Sequence, residues 1–466
     1  MCGIIGISGI PGAAQSAYLG LYSLQHRGQE SAGIVTLDGE GVARSHRGMG
    51  LVSDIFTEPV LTGLPGDVAI GHTRYSTAGS SVLANAQPIL ARYREGPLAL
   101  AHNGNLTNAL ELRADLVDQG SIFQTSSDSE VLIHLIARSE RAEPEDQIRD
   151  ALERVEGAYS LVITVGRTLY AVVDPRGFRP LVLGRLGSGT IVASESCALD
   201  LIGAPVMCEL EPGDFVRIRG QEIEPLPRLA AKPHRRCVFE LVYFSRPDSM
   251  VFHRSVDGVR RALGRELARE HPAPGADCAF SVPDSANAMA LGFAEQAGIK
   301  LEHALIRNHY VGRTFINPTQ AGRSAKVRIK FNPVREVLAG RSVVVVDDSL
   351  VRGTTSRGLV HMIRQAGARE VHFRVASPPI TGPCHYGIDT PTREELIGAT
   401  HTVEEIRRHL GVDTLGYLSL DGMLRAAGGD PAAFCHACFS GDYPTATPDE
   451  AVRHRHEAPL VSAIPV

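Results

Sequence analysis

The string VVVVDDSLVRGTTS at residues 343–356 constrains this chain most. Four consecutive valines leave no polar face, so the segment must be covered on both sides. That is the condition of a central strand in a parallel sheet. Asp347 and Asp348 end the strand, a short loop follows, and a helix is predicted to open near Thr354. In parallel α/β sheets, ligands gather at the carboxyl ends of the strands. Backbone N–H groups of Arg352, Gly353, Thr354 and Thr355 can cradle a phosphate at the helix N-terminus, and Gly353 lets the backbone come close. The two carboxylates suit ribose hydroxyls or Mg2+. With no Gly-Lys-Ser/Thr, the string is not a P-loop. The plainer alternative is an acidic strand end before an ordinarily capped helix. The Asp pair alone would fit that, but the whole string favours a phosphate site.

Strands and helices alternate around this segment. CAFSVPDS precedes the helical ANAMALGFAEQAG, and EVHFRVASPP follows TTSRGLVHMIRQAG. The second half therefore reads as α/β, starting at about 225–235 near EPLPRLAAKPHRR. The first half has another character. CGIIGISG, DVAIGHTRYS and PLALAHNGNL read as short strands, and YSLVITVGRTLYAVVD as a hairpin turning at Gly166 and Arg167. AAQSAYLGLYSLQHRG and DSEVLIHLIARS read as helices, the second with Asp128 as N-cap and Val131, Leu132 and Leu135 on one face. An α+β domain with an antiparallel sheet follows. The polar, Pro-containing stretch after Asp442 is expected to be a poorly ordered tail. No apolar run approaches the roughly 18 residues of a membrane span. The N-terminus has neither a basic region nor a long apolar core, so no secretory signal is expected. A formal net charge of −5 argues against a nucleic-acid partner.

Eight cysteines stand at 2, 197, 208, 237, 278, 384, 435 and 438. Without an export signal, disulfides are not expected. Cys435 and Cys438 form C-x2-C, and with Cys237 and Cys384 they make four thiolates for Zn2+ or an iron–sulfur cluster. Spacing alone leans to zinc. Cys197, Cys208 and Cys278 match no motif and are expected to be small buried hydrophobes.

Cys2 directly follows Met1, which is normally removed before a small residue. An N-terminal Cys offers a thiol and an α-amine, the amine with an ordinary pKa near 7.7–8.0. That amine can serve as base for its own side chain, and the thiolate is the reactive form. Position alone is a weak signal; the neighbourhood strengthens it. Hydrolysing glutamine needs a nucleophile, a base, oxyanion donors and partners for the α-carboxylate and α-ammonium. Arg74 in GHTRYST supplies a carboxylate fork, and Asp128 in SSDSE an anion. In AHNGNLTN, the Asn103 side-chain amide and the Gly104 backbone N–H suit an oxyanion hole. Singly, each has a bland alternative: surface charge, helix cap or turn.

Together CGIIGI, LQHRGQESAGI, GHTRYST, AHNGNLTN and SSDSE closely resemble the N-terminal-nucleophile glutaminase domain of class II amidotransferases, over about Cys2 to Asp214. VVVVDDSLVRGTTS resembles the phosphoribosyl-pyrophosphate signature of type I phosphoribosyltransferases, and VPDSA (Val282–Ala286) their other site loop. The combination resembles the glutamine phosphoribosyl-pyrophosphate amidotransferases. The strings around Cys237, Cys384, Cys435 and Cys438 resemble the cluster-bearing branch of that family.

The resemblance implies an α+β glutaminase of antiparallel sheets sandwiched by helices (2–230). An α/β phosphoribosyltransferase domain with a parallel sheet (235–442) and a tail (443–466) would follow. It further implies that Cys2 attacks the amide carbon, its amine shuttles the proton, Asn103 and Gly104 hold the oxyanion, and Arg74 and Asp128 grip glutamine. Arg27 is expected near the site as a gate. Ammonia would pass through an internal channel and displace pyrophosphate from phosphoribosyl pyrophosphate, giving 5-phosphoribosylamine at the entry to purine synthesis. Mg2+ would sit at Ser285, Asp347 and Asp348. A basic lid at 307–334 would contribute Arg313, Lys326, Arg328 and Lys330. One [4Fe–4S] on Cys237, Cys384, Cys435 and Cys438, purine-nucleotide feedback, a homotetramer and a cytoplasmic location are also implied. Because Cys2 follows Met1 directly, no propeptide is expected to need cutting.

Rivals lack their own marks. An asparagine synthetase would carry an SGGxDS-type motif, and a glucosamine-phosphate synthase two sugar-isomerase domains. A sensor of phosphoribosyl pyrophosphate would have lost Cys2 or a glutamine contact and gained a DNA-binding module.

Overall fold

The computed structural model describes residues 1–75, 81–308 and 329–447. The expected lid residues Arg313, Lys326 and Arg328 lie outside them, as does the tail beyond 447.

Two antiparallel sheets form the first half. One runs in the order Val206–Glu209, Val182–Leu186, Gly189–Ala193, Gly3–Ser8, Val68–Arg74, Ser31–Leu37, Ala43–Met49. The other runs Glu222–Pro225, Phe215–Arg219, Thr168–Val173, Gly157–Val165, Gly96–Leu106, Ile89–Tyr93. Strand alternation decides which residues fill which layer. Ile4, Val35 and Ile70 meet Ala99, Ala101, Val162 and Ala171 between the sheets. Ile5 and Ile7 point the other way, against the helices Ala13–Ser23 and Ser196–Ile202. Leu98, Leu100 and Leu161 pack on the helices Ala109–Asp118, Ser129–Arg138 and Pro144–Leu152. The result is a four-layer helix–sheet–sheet–helix sandwich. The sheets approach closely at Gly6, where a Cβ would lie 2.5 Å from Val162 Cγ1. The hairpin turns at Gly166, as its sequence predicts.

The second half holds a five-stranded, all-parallel sheet: Lys300–Leu301, Cys278–Ser281, Ser342–Asp347, Glu370–Val375, Thr414–Tyr417. The valine strand lies at its centre with every residue buried. Val344 and Val346 face one core cluster, Val343 and Val345 the other. The helices Val256–Glu270 and Asn287–Ala297 cover the first face. Sequence patterning did not pick out Val256–Glu270, although the Ser255 hydroxyl caps it by accepting from Gly258 N at 3.2 Å. These two helices touch backbone to backbone, since a Cβ on Gly264 would sit 1.9 Å from Met289 O and one on Gly292 2.0 Å from Arg261 O.

Three expectations change. Tyr443 and Thr445 are anchored: the Tyr443 hydroxyl donates to Pro383 O at 2.6 Å, and Thr445 N donates to the Tyr386 hydroxyl at 3.1 Å. The tail therefore starts later than 443, because an aromatic ring finds a cleft to fill. Cys208 is exposed, on the edge strand of the seven-stranded sheet, whereas Cys197 and Cys278 are buried. Asp128 precedes its helix without capping it and turns its carboxylate to the neighbouring sheet instead.

Candidate active site

Met1 and Cys2 lead into the strand Gly3–Ser8. Cys2 is buried, with its Sγ 3.8 Å from Tyr75 O and its backbone N donating to Asn103 Oδ1 at 3.2 Å. Asn103 lies on the strand Gly96–Leu106 with no exposure. Its amide nitrogen is buried and has no hydrogen-bond partner among the described residues. An unpaired buried donor costs about 1–3 kcal/mol, so an acceptor brought beside Asn103 would be strongly favoured. Gly104 is required by space, because a Cβ would fall 2.0 Å from Ala158 O. Arg74 ends the strand Val68–Arg74 and is 3% exposed. The Asp128 carboxylate accepts from Leu106 N at 2.9 Å on the Asn103 strand.

Arg27 is fully buried beside the nucleophile. Its Nε donates to Cys2 O at 2.9 Å, and its guanidinium pairs with Glu195 and, at 2.8 and 3.0 Å, with Glu240. Burial would lower its pKa, but the two carboxylates win and raise it. Burial would raise Glu195 and Glu240; His26 and Arg27 hold the first below the usual range, Arg27 and Arg179 the second. Arg27 is thus fixed to the nucleophile's carbonyl, more a pin than a gate. Arg179 joins the group, donating to Glu240 at 3.2 Å and to Tyr386 O at 2.6 Å, with Met1 Sδ 2.8 Å away.

Met1 is 1% exposed, and burial is the main cause pushing its amine down to about 6. It belongs to one apolar cluster with Phe178, Val238, Val344 and Val346. That seam runs from Met1, the neighbour of Cys2, to the strand that ends in the Asp pair.

At the far end of the seam, Asp347 and Asp348 are 8% and 4% exposed. Burial raises both carboxyls; the charge of Asp348 adds to the rise at Asp347, while Ser285, Ser349 and Arg260 moderate it at Asp348. Two adjacent carboxyls that resist ionisation suit a divalent cation, which would relieve both the desolvation and the repulsion. Ser285 lies close enough to Asp348 to lower its carboxyl, so the VPDSA loop reaches the pair. Gly353 has φ +72° just before the helix Thr354–Gln365. The loop residue Arg352 pairs with Glu395 at 3.2 Å, and Thr354 and Thr355 are exposed. Lys330 lowers Asp347 electrostatically, so one expected lid cation lies within electrostatic reach of the pair.

Cys237, Cys384, Cys435 and Cys438 converge from distant parts of the chain. Cys237 stands opposite Cys435 in a short parallel pair. Burial raises the Cys237, Cys435 and Cys438 thiols, and neighbouring thiols raise them further, Cys384 among them at all three, while Arg179 opposes the rise at Cys237 and Cys435 and Glu240 adds to it at Cys237. Thiols that suppress one another's ionisation suit positive charge between them. Among the described residues, no three His, Cys, Asp or Glu side chains gather as around a single ion.

Sequence reading missed Arg179, Glu195, Glu240 and Asn105. The first three owe their roles to partners far away in the chain, which no local pattern shows. Asn105 was findable: residues two apart on a strand share a face, so it follows Asn103.

Residues 72–200 match the model of a glutamine amidotransferase domain. The chain is 50% identical to the chloroplastic amidophosphoribosyltransferase 2 of Arabidopsis thaliana, over 97% of this chain and 81% of that one. It is 49% identical to the amidophosphoribosyltransferase of Bacillus subtilis, over 98% and 97%. A solved structure described as the allosteric regulatory enzyme of purine biosynthesis superposes with a TM-score of 0.93 at 48% identity, covering 98% of this chain and all of that one. The glutamine phosphoribosyl-pyrophosphate amidotransferase of B. subtilis complexed with ADP and GMP gives 0.90 at 47% identity, over 96% and 98%.

Proposed function

Since the chain belongs to the amidophosphoribosyltransferase family, we propose a division of labour among its residues in transferring the glutamine amide nitrogen to phosphoribosyl pyrophosphate. The enzyme yields 5-phosphoribosylamine, glutamate and pyrophosphate, a step of purine biosynthesis. The observation that carries the assignment at the glutamine end is the unpartnered Asn103 amide beside the Cys2 backbone nitrogen.

Once Met1 is removed, the Cys2 nitrogen becomes an α-amine, held by Asn103 Oδ1. It takes the thiol proton as Sγ attacks the amide carbon. Asn103 Nδ2 and Gly104 N–H stabilise the resulting oxyanion. The amine then protonates the departing nitrogen, ammonia leaves, and water cleaves the thioester to release glutamate. Arg74 pairs with the substrate carboxylate and Asp128 with its ammonium. Ammonia passes to the second site inside the protein rather than through solvent. There ammonia attacks C1 of the ribose, and pyrophosphate departs with the bonding electrons. The N–H groups of Arg352, Gly353, Thr354 and Thr355 cradle the 5-phosphate. Asp347 and Asp348 orient the ribose hydroxyls and, with Ser285, would hold Mg2+, which spreads pyrophosphate charge when bound. Cys237, Cys384, Cys435 and Cys438 would hold one [4Fe–4S] cluster in a structural role.

A homotetramer, feedback by purine nucleotides and a cytoplasmic location complete the reading. The ADP and GMP on the B. subtilis enzyme support the second.

The test is pyrophosphate release from phosphoribosyl pyrophosphate with Mg2+, comparing glutamine and ammonium as donors. Release with both is expected. Tight binding without release from either would indicate a sensor instead.

A further inference from the structure

The loop that carries Cys384 does not end at the thiol site. Cys384 Sγ accepts from Tyr386 N at 3.3 Å. The Tyr386 ring stacks on Phe178 at 4.4 Å, and its carbonyl takes both Nε and a terminal nitrogen of Arg179. Phe178 O in turn accepts from Cys237 N at 3.2 Å, so a second thiol-bearing residue braces the same loop. Three residues past Cys384, the backbone lies directly on Gly104. A Cβ on Gly387 would fall 2.8 Å from Gly104 C and 2.9 Å from its O, and Gly387 has φ +104°. Between them, Asn105 Nδ2 donates to His385 O at 2.9 Å. Asn105, Cys384, His385 and Tyr386 are all at least nine-tenths buried. Four residues therefore join a candidate cluster ligand to the Gly104–Asn105 peptide, which through the Gly104 Cα adjoins the peptide that carries the Gly104 N–H donor.

We propose that residues 384–387 are a positioning element of the glutaminase centre. Asn105 and Gly387 fix the Gly104 peptide in register for the oxyanion, and Cys384 anchors the element to the four-thiol site. This rests on the reading of Asn103 and Gly104 as oxyanion donors. Donors must sit within a few tenths of an ångström of the developing charge, so a small shift costs rate without costing substrate affinity. Asn105→Ala removes the strut. Gly387→Ala pushes the loop off Gly104.

Both variants are tested in the full chain with Met1 removed and its cluster in place, iron and sulfide being assayed. Glutamate reports ground-state binding. The aldehyde analogue of glutamine reports the oxyanion hole, because Cys2 adds to its carbonyl and leaves a tetrahedral oxygen there. Each variant is expected to bind the aldehyde at least about tenfold more weakly and to lose a similar factor in glutamine-dependent kcat. Glutamate affinity, ammonia-dependent synthesis and iron content are expected to stay within about twofold of the parent. Unchanged aldehyde affinity, or aldehyde and glutamate affinity falling together, would overturn the inference. Parallel loss of ammonia-dependent synthesis would overturn it too, showing a general packing defect. Asn103→Ala separates the two layers. If it weakens the aldehyde while Asn105→Ala and Gly387→Ala do not, only the positioning role fails. If Asn103→Ala leaves the aldehyde affinity intact, the oxyanion assignment fails and takes the inference with it.

Discussion

At the scale of single residues, Asn103 does two jobs with one amide: the oxygen holds the Cys2 nitrogen and the nitrogen waits for an acceptor. Asn103→Ala is expected to lower glutamine-dependent kcat by roughly 10^2–10^3 with a small change in KM, measured by glutamate release. Cys2→Ala should abolish glutamine-dependent synthesis and spare the ammonia-dependent reaction; equal loss of both would refute two separate sites. The Asp pair makes a pH prediction. Raised carboxyl pKa values mean that the folded chain binds these protons more tightly than the unfolded chain. The pair therefore costs stability as pH climbs from the ordinary carboxylate value near 4 through the raised folded values, and the cost remains above them. Mg2+ offsets that cost only where the carboxyls would otherwise be charged. Its stabilisation in thermal melts should be larger at about pH 8 than at about pH 5. Equal shifts at both would place the cation elsewhere.

At the scale of elements, the helix Thr354–Gln365 and the strand before it form the ligand end of the parallel sheet. Gly353→Ala would force φ +72° on a residue with a side chain and set its Cβ 2.9 Å from Ile397 Cδ1. About 1–2 kcal/mol of strain follows. KM for phosphoribosyl pyrophosphate should rise with either nitrogen donor, as steady-state kinetics would show. The valine run announced this element because a strand covered on both faces has no polar alternation to obscure it. The Gly166 turn was equally plain. Val256–Glu270 was not, since seven charged side chains and two glycines interrupt its apolar stripe. Asp128 misled because an Asp before a helix is usually a cap, and only the neighbouring strand shows where its carboxylate goes. The glutamine residues were legible as strings, whereas the Arg27, Glu195, Glu240 and Arg179 cluster was not. Its members are scattered over more than 200 positions and meet only when both halves of the chain close together.

At the scale of the whole molecule, that cluster is the electrostatic clasp between the halves. Glu240 neutralises two fully buried arginines, Arg27 and Arg179. Glu240→Gln keeps the shape and removes the charge. It should destabilise the chain by about 3–5 kcal/mol, read as a lower denaturation midpoint. An unchanged midpoint would show that water reaches the arginines. Met1 lies within the same closure, 1% exposed against Arg179 and the second half's core. The second half of the chain thus serves as the wall behind the nucleophile, supplied by residues more than 200 positions away such as Val238 and Val344.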